Sequence, residues 1–236
     1  MDKLLVALDV ESGARALELA DSLRGVAGGF KIGSRMFTLE GPPIVRALTE
    51  KGDRVFLDLK FHDIPNTVAT AVSAATSLGV WMVNVHASGG APMMTAAIDA
   101  AADTADRERL PRPLVIAVTV LTSMNAETLV DSGVSGSVLD QVLRLAKLTQ
   151  SAGLDGVVAS PLETSLIRKT CGRDFAIVTP GIRGGSAVTS GKDDQERTMT
   201  APEAVAAGAS YIVVGRPIIA AADPRAAAER LVSDLT

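Results

Sequence analysis

Unbroken apolar runs rich in β-branched residues recur eight times along this chain, each followed by a longer stretch with helical spacing. They are Leu4 to Asp9, Gly29 to Gly33, Arg54 to Lys60, Val80 to His86, Leu114 to Thr122, Gly156 to Ser160, Phe175 to Pro180 and Tyr211 to Gly215. Interiors such as Val115-Ile-Ala-Val-Thr-Val-Leu121 are almost continuously apolar rather than alternating, which predicts parallel strands covered on both faces. Between them, Val68, Ala71, Val72, Ala75 and Leu78 repeat at the helical period after Pro65, and Gly79 supplies a stop. A second such stripe is Val138, Leu139, Val142, Leu143 and Ala146, ending near Gly153. Thr200-Ala201-Pro202-Glu203 reads as a capping box, and Asp223-Pro224 as a helix start.

Eight strand–helix units in 236 residues, with no linker or break in composition, predict one domain over 1–236, a closed (β/α)8 TIM barrel of the α/β class. An open doubly wound sheet is the competing architecture, but no G-x-G-x-x-G follows the first strand. With 47% of residues hydrophobic, the chain can bury a large core. A formal net charge of −4 lacks the basic footprint of a nucleic-acid binder, so no nucleic acid is expected as partner. No apolar run approaches the roughly 20 residues that span a bilayer, and the N-terminus meets Asp9 before a signal-peptide core could form. Cys171 is the only cysteine, which fits a reducing compartment, the cytoplasm.

Functional side chains of such a barrel stand at the C-terminal ends of its strands. Those ends carry Asp9, Lys31, Asp58 and Lys60, with Asp63 just beyond, and then His86, Thr122, Ser160, Arg183 and Arg216. Asp58 and Lys60 lie two apart, so strand alternation predicts that both project into the barrel mouth. An isolated Asp-x-Lys reads as a weak surface ion pair. Here Asp9, Lys31 and Asp63 occupy corresponding ends, and the mouth gathers all five into one cavity.

The last strand runs into Gly215-Arg216-Pro217, where glycine lets backbone N–H groups come close and proline starts a helix. With Arg183 after the seventh strand and Gln195 further on, this predicts a site for a phosphate dianion. Residues 183–195 are rich in Gly and Ser and have the profile of a lid. The charged, proline-punctuated stretch 103–113 reads as a solvated connector. His62 and His86 lack metal-ligand spacing, so no metal is expected, and His86 is read as ordering its loop by hydrogen bonds. Cys171, with no helix start or histidine beside it, reads as inert rather than nucleophilic, and Trp81 and Met93-Met94 read as packing.

These residues form a pattern that resembles the orotidine 5'-phosphate decarboxylase family along almost the whole chain. The resemblance is carried by Leu8-Asp9, Phe30-Lys31-Ile-Gly, Asp58-Leu-Lys60-Phe-His-Asp63-Ile-Pro-Asn-Thr67 and Val85-His86-Ala-Ser-Gly-Gly. It continues in Thr119-Val-Leu-Thr122, Thr179-Pro-Gly-Ile-Arg183, Asp194-Gln195-x-Arg197 and Val214-Gly215-Arg216-Pro217. One departure is Thr200-Ala201-Pro202, where the family usually has Thr-Pro after the lid.

The resemblance implies decarboxylation of orotidine 5'-monophosphate to UMP, the last step of de novo pyrimidine synthesis, with no cofactor. Lys60 would be the proton donor to pyrimidine C6, within a network completed by Lys31, Asp58 and Asp63. It further implies a homodimer with shared sites, in which Asp63 and the residues up to Thr67 reach the partner's site. Asp9, Lys31 and Thr67 would contact the ribose, and Thr122 the substrate near the base. Gln195, Arg216 and the Gly215 backbone would hold the phosphate, with Arg183 beside it.

Other readings stay open. Mg2+-dependent sugar-phosphate barrels, keto-gulonate phosphate decarboxylase and hexulose phosphate synthase, share the bare Asp-x-Lys-x-x-Asp. A barrel that only binds a phosphorylated nucleotide, and a Schiff-base aldolase using Lys31 or Lys60, are further alternatives, though flanking acids favour charged lysines and so disfavour the aldolase.

Overall fold

The computed structural model describes residues 2–235 apart from 184–198, with Arg183 described only in its backbone. Eight parallel strands close into a barrel, each hydrogen-bonded to its neighbours in sequence and the first to the last. In chain order they are Leu4–Ala7, Gly29–Gly33, Val55–Phe61, Met82–His86, Leu114–Val118, Gly156–Val158, Ala176–Thr179 and Tyr211–Val214. Closure leaves no barrel strand with an open edge, which is why continuous apolar runs are tolerated here.

Alternate residues divide between two cores. Leu5, Ala7, Phe56, Met82, Ile116, Val118, Val158, Val178 and Val213 face inward and fill the barrel. Their neighbours, among them Leu4, Val6, Ile32, Leu57, Val83, Val85, Ala117, Ile177 and Ile212, face outward into the layer shared with the helices. The interior is therefore packed, and only its C-terminal mouth is available for chemistry.

The predicted helix starts and stops are present. Helix Pro65–Thr76 begins on its proline, buries Val68, Val72 and Ala75, and stops where Gly79 turns to φ +73° and donates to the Thr76 carbonyl at 2.9 Å. It packs against helix Ala91–Glu108, whose alanine-rich buried face permits close approach. Thr200 and Glu203 form the reciprocal capping box, and the Asp223 carboxylate accepts from Ala226 N at 3.0 Å.

One stripe differs from expectation. Helix Val138–Ser151 buries Val142, Leu145, Ala146 and Thr149, while Leu139 is exposed. At about 100° per residue, Leu139 lies about 60° around the helix from Val142, on the flank of the buried seam. An additional two-residue parallel pair, Ile182–Arg183 with Met199–Thr200, brackets the stretch 184–198, so the expected lid and Gln195 lie outside the described residues. No helix among the described residues is long and apolar enough to cross a membrane.

Candidate active site

Following the inward face toward the mouth, strands one to four exchange apolar side chains for polar ones. Asp9 stands beyond Ala7, Lys31 faces in from the second strand, Asp58 stands above Phe56, and Asn84 above Met82. Strands five to eight keep Val118, Val158, Val178 and Val213 on this face. The ionic groups of the mouth thus gather at the ends of strands one to three, with Asn84 on the fourth.

These ionic groups form a chain of alternating charge. Lys31 Nζ lies 3.2 Å from Asp9 and 3.5 Å from Asp58, and Lys60 Nζ donates to Asp58 Oδ1 at 2.6 Å. Side-chain exposure is 10% for Lys31 and 13% for Asp58, against 35% for Lys60 and 45% for Asp9. The inner pair is shielded from water and the outer pair faces it. Burial by itself would push the Asp58 carboxyl up. The Lys31 and Lys60 ammoniums, with hydrogen bonds from Lys60 and Asn84, outweigh burial and hold it below the usual carboxylate range. Gly33 makes room for this chain, since a Cβ there would lie 2.8 Å from Lys31 Nζ and 3.1 Å from Asp9 Oδ1.

Simple strand alternation does not account for how Lys60 reaches Asp58. Pairing with the fourth strand runs Phe56 to Met82 and Leu57 to Val83, then resumes at Phe61 to Val85, so the third strand bulges between. Within the bulge Lys60 takes φ +53°, a left-handed conformation that costs a non-glycine residue about 1 kcal/mol or more. The ammonium meets Asp58 through this turn and not through an extended backbone.

Asn84 was not anticipated as a site residue. It is fully buried, accepts from Lys60 N at 2.8 Å and donates through Nδ2 to Asp58 Oδ1 at 2.7 Å. The legible signal was an asparagine inside the apolar run Val83-Asn84-Val85, because a buried amide requires partners.

Asp63 stands outside the ion chain. It is exposed, accepts from Ile64 N at 2.6 Å, and among the described residues is paired with none of the lysines. Residues 62–67, including Thr67, are all exposed, and with Ser88 and Gly89 residues 62–65 line an open depression. Thr122 is half-buried in the turn after the fifth strand. Arg216 is exposed at the start of the short helix Arg216–Ile219, behind Gly215, where a Cβ would make only ordinary contact with Ala7. Arg183 is placed by backbone alone, after the seventh strand.

His86 also differs from expectation. Among the described residues its ring makes no hydrogen bond; it lies against His62, ring centroids 5.3 Å apart. Burial, then the neighbouring His62 and Lys60, lowers its pKa. Among the described residues no three His, Cys, Asp or Glu side chains are gathered as a metal ion would need.

Fold and mouth together define the class: a (β/α)8-barrel enzyme with an ionic cluster at the C-terminal ends of its strands. A sequence profile described as "Orotidine 5'-phosphate decarboxylase / HUMPS family" matches residues 2–231, and the chain belongs to that family. It is 55% identical over 234 residues to the orotidine 5'-phosphate decarboxylase of Syntrophotalea carbinolica, covering 99% of this chain and 94% of the relative. It is 50% identical to that of Vibrio vulnificus, covering 99% of this chain and 98% of the relative. The crystal structure of orotidine 5'-phosphate decarboxylase from Lactobacillus acidophilus superposes with a TM-score of 0.87 at 35% identity, covering 99% of each chain.

Proposed function

We propose that this protein is a carboxy-lyase that converts orotidine 5'-monophosphate to UMP and CO2 without cofactor or metal. The observation that carries this reading is the ion chain Asp9–Lys31–Asp58–Lys60 at the barrel mouth, in a chain whose full-length relatives bear that enzyme's name. When the bond from C6 to the carboxylate breaks, its electron pair stays on C6, where no ring carbonyl is placed to delocalise it. An external sink or electrostatics must then supply the stabilisation. At an effective dielectric near 20, an ammonium about 4 Å from the pair contributes on the order of 4 kcal/mol. Enzymes lower barriers by roughly 8–23 kcal/mol, so this contact needs phosphate and ribose binding energy expressed in the transition state.

Lys60 then gives a proton from Nζ to C6, CO2 departs, and solvent restores the ammonium. Asp58, kept ionised between two lysines, orients the Lys60 ammonium. Asp9, Lys31 and Thr67 serve the ribose, and Thr122 the region near the base. Arg216, the Gly215 backbone and Gln195 serve the phosphate, with Arg183 beside it.

We also propose a homodimer with shared sites, located in the cytoplasm. Its support is that Asp63 lies outside its own chain's ion network, within a consecutively exposed segment whose Ile64 is 66% exposed. A partner surface would cover that isoleucine and give the carboxylate a lysine. The single cysteine, Cys171, is buried and free, as suits a reducing compartment.

The test is loss of orotidine 5'-monophosphate absorbance on incubation with the purified protein in excess chelator. Turnover undiminished by chelator is expected. Binding without absorbance loss would leave a nucleotide-binding barrel, and activity abolished by chelator would point to a metal-dependent relative.

A further inference from the structure

Beside the ion chain of the mouth stands a buried neutral side chain, Asn84. Asn84 sits on the inward face of the fourth strand, paired in register with Ile116, directly above the apolar layer and with none of its surface exposed. Both ends of its amide are used. Oδ1 accepts the Lys60 backbone N–H at 2.8 Å, and Nδ2 donates to Asp58 Oδ1 at 2.7 Å. The chemistry fixes this orientation: the flipped amide would set oxygen against carboxylate and N–H against N–H.

The two bonds land where the third strand is irregular. Four residue steps, Leu57 to Phe61, are accommodated opposite two, Val83 to Val85, which takes the Lys60 N–H out of the regular ladder. Lys60 is one of two described non-glycine residues with positive φ, and the other, Arg109, is at a helix C-terminus, where that conformation is common. A left-handed residue in mid-strand persists only if its surroundings hold it there. Asn84 is the side chain that reaches the strained backbone, and with the same amide it fixes the carboxylate that receives the Lys60 ammonium at 2.6 Å.

We infer that Asn84 is a positioning residue: its side-chain amide clamps the Lys60 backbone and Asp58 Oδ1 together and so sets where the Lys60 ammonium stands in the mouth. The clamp acts through Asp58 and Lys60 and does not itself touch the reacting atoms. The inference deepens the decarboxylase reading and rests on it for what Lys60 does, while the clamp's effect on Asp58 can be read without turnover. The groups facing Asp58 are Lys31 from the second strand, with Asp9 behind it, Lys60 from its own strand, and Asn84 and His86 from the fourth. Only Asn84 among them is an uncharged donor to that carboxylate.

The experiment compares the full-length protein with Asn84→Leu, which keeps bulk and removes both bonds, and Asn84→Asp, which keeps the acceptor for Lys60 N and replaces the donor to Asp58 with a like charge. Steady-state kinetics on orotidine 5'-monophosphate are paired with carboxyl-carbon NMR titration of Asp58, assigned through Asp58→Asn. A displacement of Lys60 by about 1 Å is expected to lower kcat by about 10- to 100-fold in both variants, with KM within about threefold of the parent. The Asp58 titration midpoint should rise in both, by more in Asn84→Asp, since each loses a hydrogen bond to the ionised carboxylate. A purely structural role would lower kcat only in proportion to the folded fraction and leave the Asp58 midpoint in place. That result, or kcat unchanged in folded variants, overturns the inference. If the parent itself shows no turnover, the decarboxylase reading fails, and a raised or unmoved Asp58 midpoint still decides the clamp. Should Asn84→Leu not fold, Asn84→Asp decides by the same readouts.

Discussion

Replacing Asp58 with asparagine removes the one carboxylate among the described residues that touches both Lys31 and Lys60, and the structure sets the size of the effect. The contacts, 3.5 Å to Lys31 and 2.6 Å to Lys60, are worth about 5 and about 6 kcal/mol gross at an effective dielectric near 20. Lys60 is 35% exposed and relaxes into water, so its share is discounted to about 1 kcal/mol or less. Lys31 is only 10% exposed and would keep Asp9, so most of its loss stays, but the buried Asp58 carboxylate no longer has to be desolvated, which offsets part of it and leaves a total of about 3 kcal/mol. For a chain of this length that lowers Tm by about 6–12 °C.

The pH dependence separates this cause from a general packing defect. The folded pKa of Asp58 is depressed, so its contribution is present above the unfolded value near 4 and is lost as pH falls through the lower folded value. Thermal melts of parent and Asp58→Asn at matched protein concentration should therefore differ fully at pH 8 and converge as pH falls below about 4. Turnover should drop by about 100-fold or more, because Lys60 loses the carboxylate that orients its ammonium. A variant that melts no lower than the parent at pH 8, or a difference that persists undiminished in acid, refutes the electrostatic account.

Four further outcomes follow from the same geometry. Lys60→Ala should abolish absorbance loss from orotidine 5'-monophosphate while calorimetric binding of UMP is partly retained; near-normal turnover would remove Lys60 as proton donor. Arg216→Ala should weaken binding of UMP but not of uridine, and equal losses for both would remove the phosphate assignment. Gly33→Ala places a carbon 2.8 Å from Lys31 Nζ, so kcat should fall by about 10-fold or more in a protein that still folds, as circular dichroism will report. Arg168→Ala acts at the opposite end of the barrel, where this guanidinium donates to the carbonyls of Gly172, Arg173, Phe175 and Gly208 and to Ser210 Oγ. Denaturant titration should show a loss of about 3 kcal/mol with the kcat of the folded fraction unchanged, since that end of the barrel carries stability and not chemistry.

The sequence by itself determined the architecture and the list of charged groups. Continuous apolar strands such as Val115 to Leu121 require cover on both faces, and eight strand–helix units leave a closed barrel as the way to provide it. Period two then places Asp9, Lys31 and Asp58 at the mouth, because inward-facing residues of parallel strands end together. Caps such as Thr200 with Glu203 and Asp223 were equally legible, since their hydrogen bonds lie within four residues. The buried seam of helix Val138–Ser151 was less so, because which flank of a broad apolar stripe is covered depends on the neighbours.

Only the tertiary structure decided how the charges meet. The bulge that turns Lys60 to positive φ is created by pairing with the fourth strand, and no local pattern around Lys60 announces it. Asn84, 24 residues away in sequence, holds that turn. Asp9 takes the outer acidic place in this chain, and Asp63 stands apart on an exposed edge, although the motif alone sets Asp63 closer to Lys60 in sequence. The physical reason is range: propensity and periodicity act over a few residues, whereas the direction of an ammonium in a barrel mouth is fixed by strands that are neighbours only after the sheet has closed.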